Sequence, residues 1–138
     1  MNYGRVILGG LVAGLVLNVG EFLLNAVLLH NAMVDWAKQH NLPADPGPAF
    51  LPVAIGLTFV LGIVTVWLYA LIRPRLGAGP KTAIVAALLM WFGIYVYCGV
   101  IYGMILAQPA NLIGLPMIWG IVEYTLGAIA GAWLYKEA

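Results

Sequence analysis

The sequence has few charged residues. Only 8% of its 138 residues are Asp, Glu, Lys or Arg, whereas a soluble domain carries about 25%. Hydrophobic residues make up 64% of the chain, and the mean hydropathy is +1.01. This composition argues against a soluble fold and predicts that the chain folds in a membrane.

Basic runs, cysteine pairs and metal-binding patterns are also missing. The net charge of +1 argues against nucleic acid as a partner. Cys98 is the single cysteine, so no disulfide can form within the chain. His30 and His40 lie at or beyond the edge of the first apolar run, and no Glu-x-x-His occurs. We therefore predict no metal and no cofactor. No spacing suggests a catalytic triad or a Cys–His pair, so the sequence names no catalytic residue.

Four apolar runs, residues 6–29, 50–72, 82–106 and 112–135, reach the length of about 20 residues that a membrane-spanning helix needs. The first run is too long for the apolar region of a cleaved signal peptide, which is the alternative interpretation. The predicted helices are 5–40 with an extension outside the membrane, 50–73, 81–106 and 112–136. Residues 30–40 either continue the first helix past the bilayer or bend to lie in the interface.

Links that contain proline or glycine separate these runs. Residues 41–52 form a proline-rich loop, and residues 73–81 and 107–111 form two shorter links. Short links place successive helices side by side and antiparallel. The predicted fold class is therefore all-α, a single transmembrane domain over 1–138 that forms an antiparallel up-down four-helix bundle.

Basic residues predict the orientation of the bundle. One side of the predicted topology holds Arg5, Arg73, Arg75, Lys81 and Lys136, and the other holds Lys38. The positive-inside rule places both termini in the cytoplasm. The expected location is a plasma (inner) membrane, with the 30–50 loop facing outward.

Two acidic residues lie inside apolar runs, Glu21 in the first and Glu123 in the fourth. A charged side chain at this depth costs about 2.5–3.5 kcal/mol on insertion scales and usually faces the bundle interior. Other polar side chains follow the same helical faces or lie at a similar depth. The predicted polar core consists of Glu21, Glu123, Asn18, Asn25, Thr58, Tyr95, Cys98 and Tyr102.

Small residues share these faces. Glycines at helical spacing let helix backbones approach closely in a membrane, where apolar side chains supply no drive for association. The predicted packing glycines are Gly10, Gly14, Gly120, Gly127 and Gly131.

The acid pair has two interpretations. Two neighbouring carboxyl groups cannot both ionise at low cost, so they could share a proton or hold an ion. Alternatively, a protonated Glu could donate to Asn18, Asn25 or Tyr95 and hold the helices together.

The second half of the chain resembles the DUF1761-like group of small four-helix bacterial membrane proteins of unknown function. The resemblance rests on Trp91-Phe92-Gly93, on the short link before the fourth run, and on the closing segment from Glu123 to Trp133. It implies a four-helix membrane fold and implies no activity.

Three hypotheses for function follow. The first is an accessory or scaffold subunit of a larger membrane complex. The second is a small oligomeric carrier or channel that uses Glu21 and Glu123 as proton or cation sites. The third, a membrane enzyme or a lipid or quinone binder, rests only on the aromatic residues of the third run. The expected partners are the lipid bilayer and either further copies of the chain or heterologous membrane subunits.

Overall fold

The described part of the chain is helical. The computed structural model describes residues 1–43 and 45–136, and over these ranges it contains no strand. The predicted domain 1–138 also includes residues 44, 137 and 138, which lie outside the described residues. The helices are α1 (Tyr3–Leu28), α2 (His30–Gln39), α3 (Phe50–Leu76), α4 (Pro80–Ile105) and α5 (Ala110–Leu134).

Four of these helices are long enough to cross a bilayer. α1, α3, α4 and α5 each have 25–27 residues with a mean hydropathy of 1.6–2.3 in their most apolar windows. At 1.5 Å per residue they extend over roughly 38–40 Å, more than the hydrocarbon thickness of about 30 Å. The predicted all-α four-helix membrane fold is confirmed, and the protein is a small integral membrane protein whose helices contact lipid.

α2 is a separate helix. The chain bends at Leu29, so the predicted segment 5–40 is divided between α1 and α2. On α2, Ala37 is buried and Trp36 packs on a small apolar cluster of Leu24, Leu29 and Leu112. α2 therefore covers one end of the bundle.

The link between α3 and α4 is short and depends on glycine. Gly77 (φ +86°) ends α3 by donating its N–H to the carbonyl of Arg73 at 2.8 Å, and Gly79 (φ +130°) precedes Pro80. Both φ values lie in the region that favours glycine. Pro80 suits the first turn of α4, where a backbone N–H has no helical partner.

The spanning helices alternate in direction. α1 packs on α3 and α5, and α4 packs on the same two helices, so α1 and α4 occupy opposite corners of the bundle. Gly10 lies against Ile63 and Gly14 against Phe59, which shows that α1 and α3 are antiparallel. The backbone N–H of Asn2 donates to Tyr135 Oη at 3.4 Å, so both ends of the described chain lie at the same end of the bundle.

Glycines bring three helices into close contact. A Cβ atom on Gly62 of α3 would lie 2.5 Å from the carbonyl oxygen of Gly10 and 2.6 Å from Cα of Gly14. A Cβ atom on Gly9 would lie 2.5 Å from the carbonyl oxygen of Gly131 on α5. All five predicted packing glycines are buried. The close approach of the α1, α3 and α5 backbones therefore depends on residues without a side chain.

Candidate functional site

The two membrane acids lie beside each other on adjacent antiparallel helices. Glu123 of α5 packs against Gly20 of α1, the residue directly before Glu21. A Cβ atom at position 20 would lie 2.6 Å from both Cγ and Cδ of Glu123 and 2.7 Å from its Oε2. Glycine at this position therefore provides the space in which the Glu123 carboxyl group lies.

Glu21 accepts two side-chain hydrogen bonds. Tyr95 Oη, from α4 at the opposite corner of the bundle, donates to Glu21 Oε1. Asn25 Nδ2 donates to Glu21 Oε2 at 2.7 Å and to the Glu21 backbone carbonyl at 3.0 Å. Glu21 is half-buried and Asn25 is exposed. Glu21 thus has a donor on each carboxyl oxygen and lies partly at the surface of the bundle.

Glu123 has a different environment. Only 4% of its surface is exposed, and neither carboxyl oxygen has a hydrogen-bond partner among the described residues. The nearby indole N–H of Trp119 donates at 3.2 Å to the carbonyl oxygen of Gly20. A buried ionised carboxylate without a partner is very costly, so this group needs a proton, a cation or a donor supplied from elsewhere. We call Glu21, Tyr95, Trp119 and Glu123 the acid cluster.

Aromatic packing fixes the position of Tyr95. Its ring lies against Gly120, where an added Cβ would be 2.5 Å from both Cδ2 and Cε2. The ring also meets Tyr124 edge to face, with centroids 5.9 Å apart and planes at 83°. The indole N–H of Trp91, about one turn earlier on α4, donates to the carbonyl of Met117 at 2.7 Å. These contacts attach the middle of α4 to α5 and direct the Tyr95 hydroxyl towards α1.

π-Helical turns occur on both helices that bring Glu21 and Tyr95 together. α1 becomes π-helical at Leu23–Leu28, two residues after Glu21, and α4 is π-helical at Phe92–Gly99, around Tyr95. Such turns are rare and occur frequently at functional sites. We found no signal in the sequence that predicts them.

The π-helical segment of α4 alters the predicted polar face. Sequence spacing places Cys98 and Tyr102 on the same face as Tyr95, but both are exposed. Gly99 is half-buried and Gly103 is buried in the corresponding inward positions, one residue later. This shift is expected because a π-helix closes each turn with about one more residue than an α-helix. Cys98 and Tyr102 therefore lie outside the acid cluster.

Two other predicted polar residues bond mainly to their own helices. Thr58 Oγ1 donates to the carbonyl of Ala54 at 2.8 Å. Asn18 Nδ2 donates to the carbonyl of Gly14 at 2.8 Å and reaches the carbonyl of Ile55 on α3 at 3.5 Å. Asn18 thus connects α1 to α3, and neither side chain hydrogen-bonds to the acids.

Sequence reasoning missed Gly20, Trp119 and Tyr124. Trp119 precedes Glu123 by four residues, and this spacing puts the two side chains on one face of α5. That spacing could have identified Trp119. Gly20 and Tyr124 carry no comparable signal because their roles depend on how α1, α4 and α5 pack.

α4 separates from α3 part-way along its length. α4 packs on α3 mainly through its first part, Pro80–Trp91, and its π-helical part packs on α5 instead. The two helices therefore diverge near the level of Tyr95. Polar groups of α1 come to the surface at this level, since Glu21 is half-buried and Asn25 exposed.

The side chains near the acids give little support for a metal site. Within residues 1–43 and 45–136, no three His, Cys, Asp or Glu side chains are grouped so that they could hold a metal ion. His30 and His40 lie on α2 and are exposed. Both oxygens of Glu21 already accept protein donors, which leaves Glu123 as the one acid of the cluster without a protein partner.

Two open cavities lie at the ends of the bundle. One, of about 170 Å³, is lined by Arg5, Trp133, Leu134 and Lys136 at the end that holds the termini. The other, of about 360 Å³, lies between α2 and the α4–α5 link, with Asp35 and Asn111 among its lining residues. Neither is lined by a residue of the acid cluster.

The chain was compared with protein-family models, curated proteins and solved structures, and none of them matches it.

Proposed function

We propose that this small integral membrane protein takes up and releases a proton at Glu123 and that it works as a small carrier, in an oligomer. The observation that carries the proposal is the buried Glu123 carboxyl group, which lies against Gly20 without a hydrogen-bond partner among the described residues. Burial of this kind inside an apolar helix bundle is costly, and it is typical of groups with a role in transport.

The two acids differ in their hydrogen bonds, and this difference favours a proton over a metal cation as the bound ion. Cations such as Ca²⁺ and Mg²⁺ are held by six or more oxygen ligands, usually several carboxylates, carbonyls and waters. At Glu123 the protein offers one carboxyl group, because the oxygens of Glu21 are engaged by Tyr95 and Asn25. A proton needs only one carboxyl group. Glu21 already accepts two protein donors, whereas Glu123 has none among the described residues, so Glu123 can take a proton without losing a protein partner.

The proposed entry for the proton is the part of the bundle surface where Glu21 and Asn25 are accessible. Asn25 is exposed at the bundle surface and bonds to Glu21, and Gly20, the residue next to Glu21, contacts Glu123. Protons would therefore enter near Glu21, and their transfer to Glu123 would need a bridging water, because no hydrogen bond joins the two acids among the described residues. A neighbouring subunit that covers this side would turn the route into an enclosed path, which is why we propose an oligomer.

A second candidate function is an accessory or scaffold subunit of a larger membrane complex. It is favoured by the exposed amide of Asn25 within a mainly apolar spanning helix. A polar group facing lipid is unfavourable, and contact with another subunit would remove that cost. Native mass spectrometry of protein extracted gently from its own membranes separates the candidates. Heterologous partners in a fixed ratio support the subunit, and a homo-oligomer supports the carrier.

We further propose that both termini face the cytoplasm of a bacterial inner membrane. The end of the bundle that holds the termini carries five basic residues, Arg5, Arg73, Arg75, Lys81 and Lys136. Lys38 is the one basic residue of α2, at the other end. This distribution follows the positive-inside rule. Membership of the DUF1761-like group stays a prediction.

Infrared difference spectroscopy of the protein in lipid tests proton binding directly. A protonated carboxyl group without a hydrogen-bond partner has its carbonyl stretch at a higher frequency than a hydrated one. This high-frequency component should disappear in the wild type between acidic and alkaline pH, and Glu123→Gln should remove it. Asp35→Asn, at an exposed acid of α2, is the matched control and should leave the signal in place. An unchanged signal in Glu123→Gln would overturn the proposal.

A further inference from the structure

The geometry points to Trp119 as a movable hydrogen-bond donor for Glu123, which leaves the carbonyl of Gly20 and bonds to the Glu123 carboxylate when its proton departs. This inference rests on the proposed exchange of a proton at Glu123. It assigns the indole a positioning role at the acid cluster.

The present hydrogen bond of Trp119 is long and easily replaced. Its indole N–H lies 3.2 Å from the carbonyl oxygen of Gly20, at the upper end of the range for such bonds. The same oxygen also accepts the backbone N–H of Leu23. Gly20 therefore keeps a hydrogen-bond partner if the indole turns away, so little is lost at that carbonyl.

The Glu123 carboxyl group, the second possible acceptor for the indole N–H, lies close to the present one. Glu123 follows Trp119 by four residues, so both side chains project from one face of α5. The Glu123 carboxyl group packs directly against Gly20, whose carbonyl now holds the indole. Both acceptors thus belong to the same region of the α1–α5 contact, and the indole N–H lies within reach of both, so that a small shift of the side chain would exchange one for the other.

The ionised form of Glu123 needs such a donor. In the present arrangement neither of its oxygens has a partner among the described residues. A hydrogen bond to an ionised group is stronger than one to a neutral group. Tyr95, the other donor of the cluster, is already bonded to Glu21. Trp119 is therefore a donor of the cluster that can respond to loss of the proton.

Other titratable groups surround Trp119 and must be separated from Glu123 in a test. Glu21 belongs to α1, Tyr95 to α4 and Tyr124 to α5, and α2 carries His30, Asp35, Lys38 and His40. His40 is the main complication, because its ring lies 4.9 Å from that of Trp36 and can alter the emission of that tryptophan. A His40→Gln background removes this contribution.

The experiment is tryptophan fluorescence of the full-length protein in lipid between acidic and alkaline pH, in the His40→Gln background. We expect a pH-dependent change of emission that Trp119→Phe and Glu123→Gln each abolish. Trp133→Phe, at a tryptophan that is 80% exposed, should retain it. Because Glu123→Gln retains the tryptophan at position 119, it gives a second result if the Trp119→Phe variant misfolds.

The outcomes separate this inference from the proposed function. If the carboxyl signal of Glu123 in the infrared spectrum changes with pH while the emission does not, or if the emission change survives in Trp119→Phe, the movable donor is refuted and proton exchange stands. If the infrared signal of Glu123 does not change with pH, both the proposed function and this inference fail.

Discussion

Replacing Gly62 with alanine should separate α1 from α3. The added Cβ would lie 2.5 Å from the carbonyl oxygen of Gly10 and 2.6 Å from Cα of Gly14, whereas comfortable carbon contacts are about 3.5–4.0 Å. All of these atoms belong to backbone, so no side chain can turn aside. The two helices must move apart by about 1 Å, which forfeits a quarter to a half of the dispersion energy at their contact.

The expected cost is about 1–3 kcal/mol, the usual range for overpacking a tight contact. Alanine is also the better helix former, by up to about 1 kcal/mol in water, which offsets part of this cost. Gly56→Ala, on the same helix, is the matched control because no atom lies within 4 Å of its added Cβ. Gly56→Ala should leave stability unchanged or slightly higher.

Equilibrium unfolding in detergent micelles by titration with sodium dodecyl sulfate, followed by far-ultraviolet circular dichroism, measures both variants against the wild type. We expect Gly62→Ala to unfold at a clearly lower fraction of dodecyl sulfate and Gly56→Ala at the wild-type fraction or above. Equal midpoints for the two variants would refute the reasoning that backbone contact at Gly62 holds α1 and α3 together.

Two hydrogen bonds of the middle of α4 give further predictions. Tyr95→Phe removes the donor to Glu21 and should destabilise the bundle by about 1–3 kcal/mol, since a partly buried acid loses a partner. Tyr97→Phe, at an exposed tyrosine, should have no effect in the same titration, and equal effects of the two would count against the bond. Trp91→Phe removes a bond to a carbonyl of α5 and should cost about 0.5–1.5 kcal/mol. Trp67→Phe, at an exposed tryptophan, serves as its control, and a stability loss as large as that of Trp91→Phe would show that the bond contributes nothing.

The helices could be predicted because the membrane imposes their length and apolar composition. Each predicted apolar run overlaps one spanning helix, and the short proline- and glycine-rich links separate them as the sequence indicates. The sequence predicts that residues 30–40 are helical, because they contain no glycine or proline, but it does not predict whether the chain bends before them at Leu29. Nothing local distinguishes a straight extension from a bend there.

The arrangement of the acid cluster could be predicted only in part. The spacing of Glu21 and Asn25 puts them on one face of α1, and the structure joins them by a hydrogen bond. The inward positions of α4 could not be predicted, because the π-helical turns shift them from Cys98 and Tyr102 to Gly99 and Gly103. A 3.6-residue periodicity assumes an uninterrupted α-helix, and this assumption fails on α4 next to the cluster.

The lack of a partner for Glu123 could not be seen in the sequence at all. Sequence spacing identifies the acid and its depth, but whether a donor reaches its oxygens depends on the packing of α1 and α5. Gly20 contributes in two ways. Its missing side chain leaves space for the Glu123 carboxyl group, and its carbonyl oxygen accepts the indole N–H of Trp119.

Solid-state NMR of the protein in lipid, with ¹³C-labelled glutamate, tests the central claim most directly. The sequence contains three glutamates, Glu21, Glu123 and Glu137, so few carboxyl signals need assignment, and Glu123→Gln identifies that of Glu123. The account predicts that the Glu123 signal lies at the position of a protonated carboxyl group at acidic pH and moves to that of a carboxylate at alkaline pH. A Glu123 signal that stays at one position throughout, whether that of the carboxyl group or of the carboxylate, would contradict it.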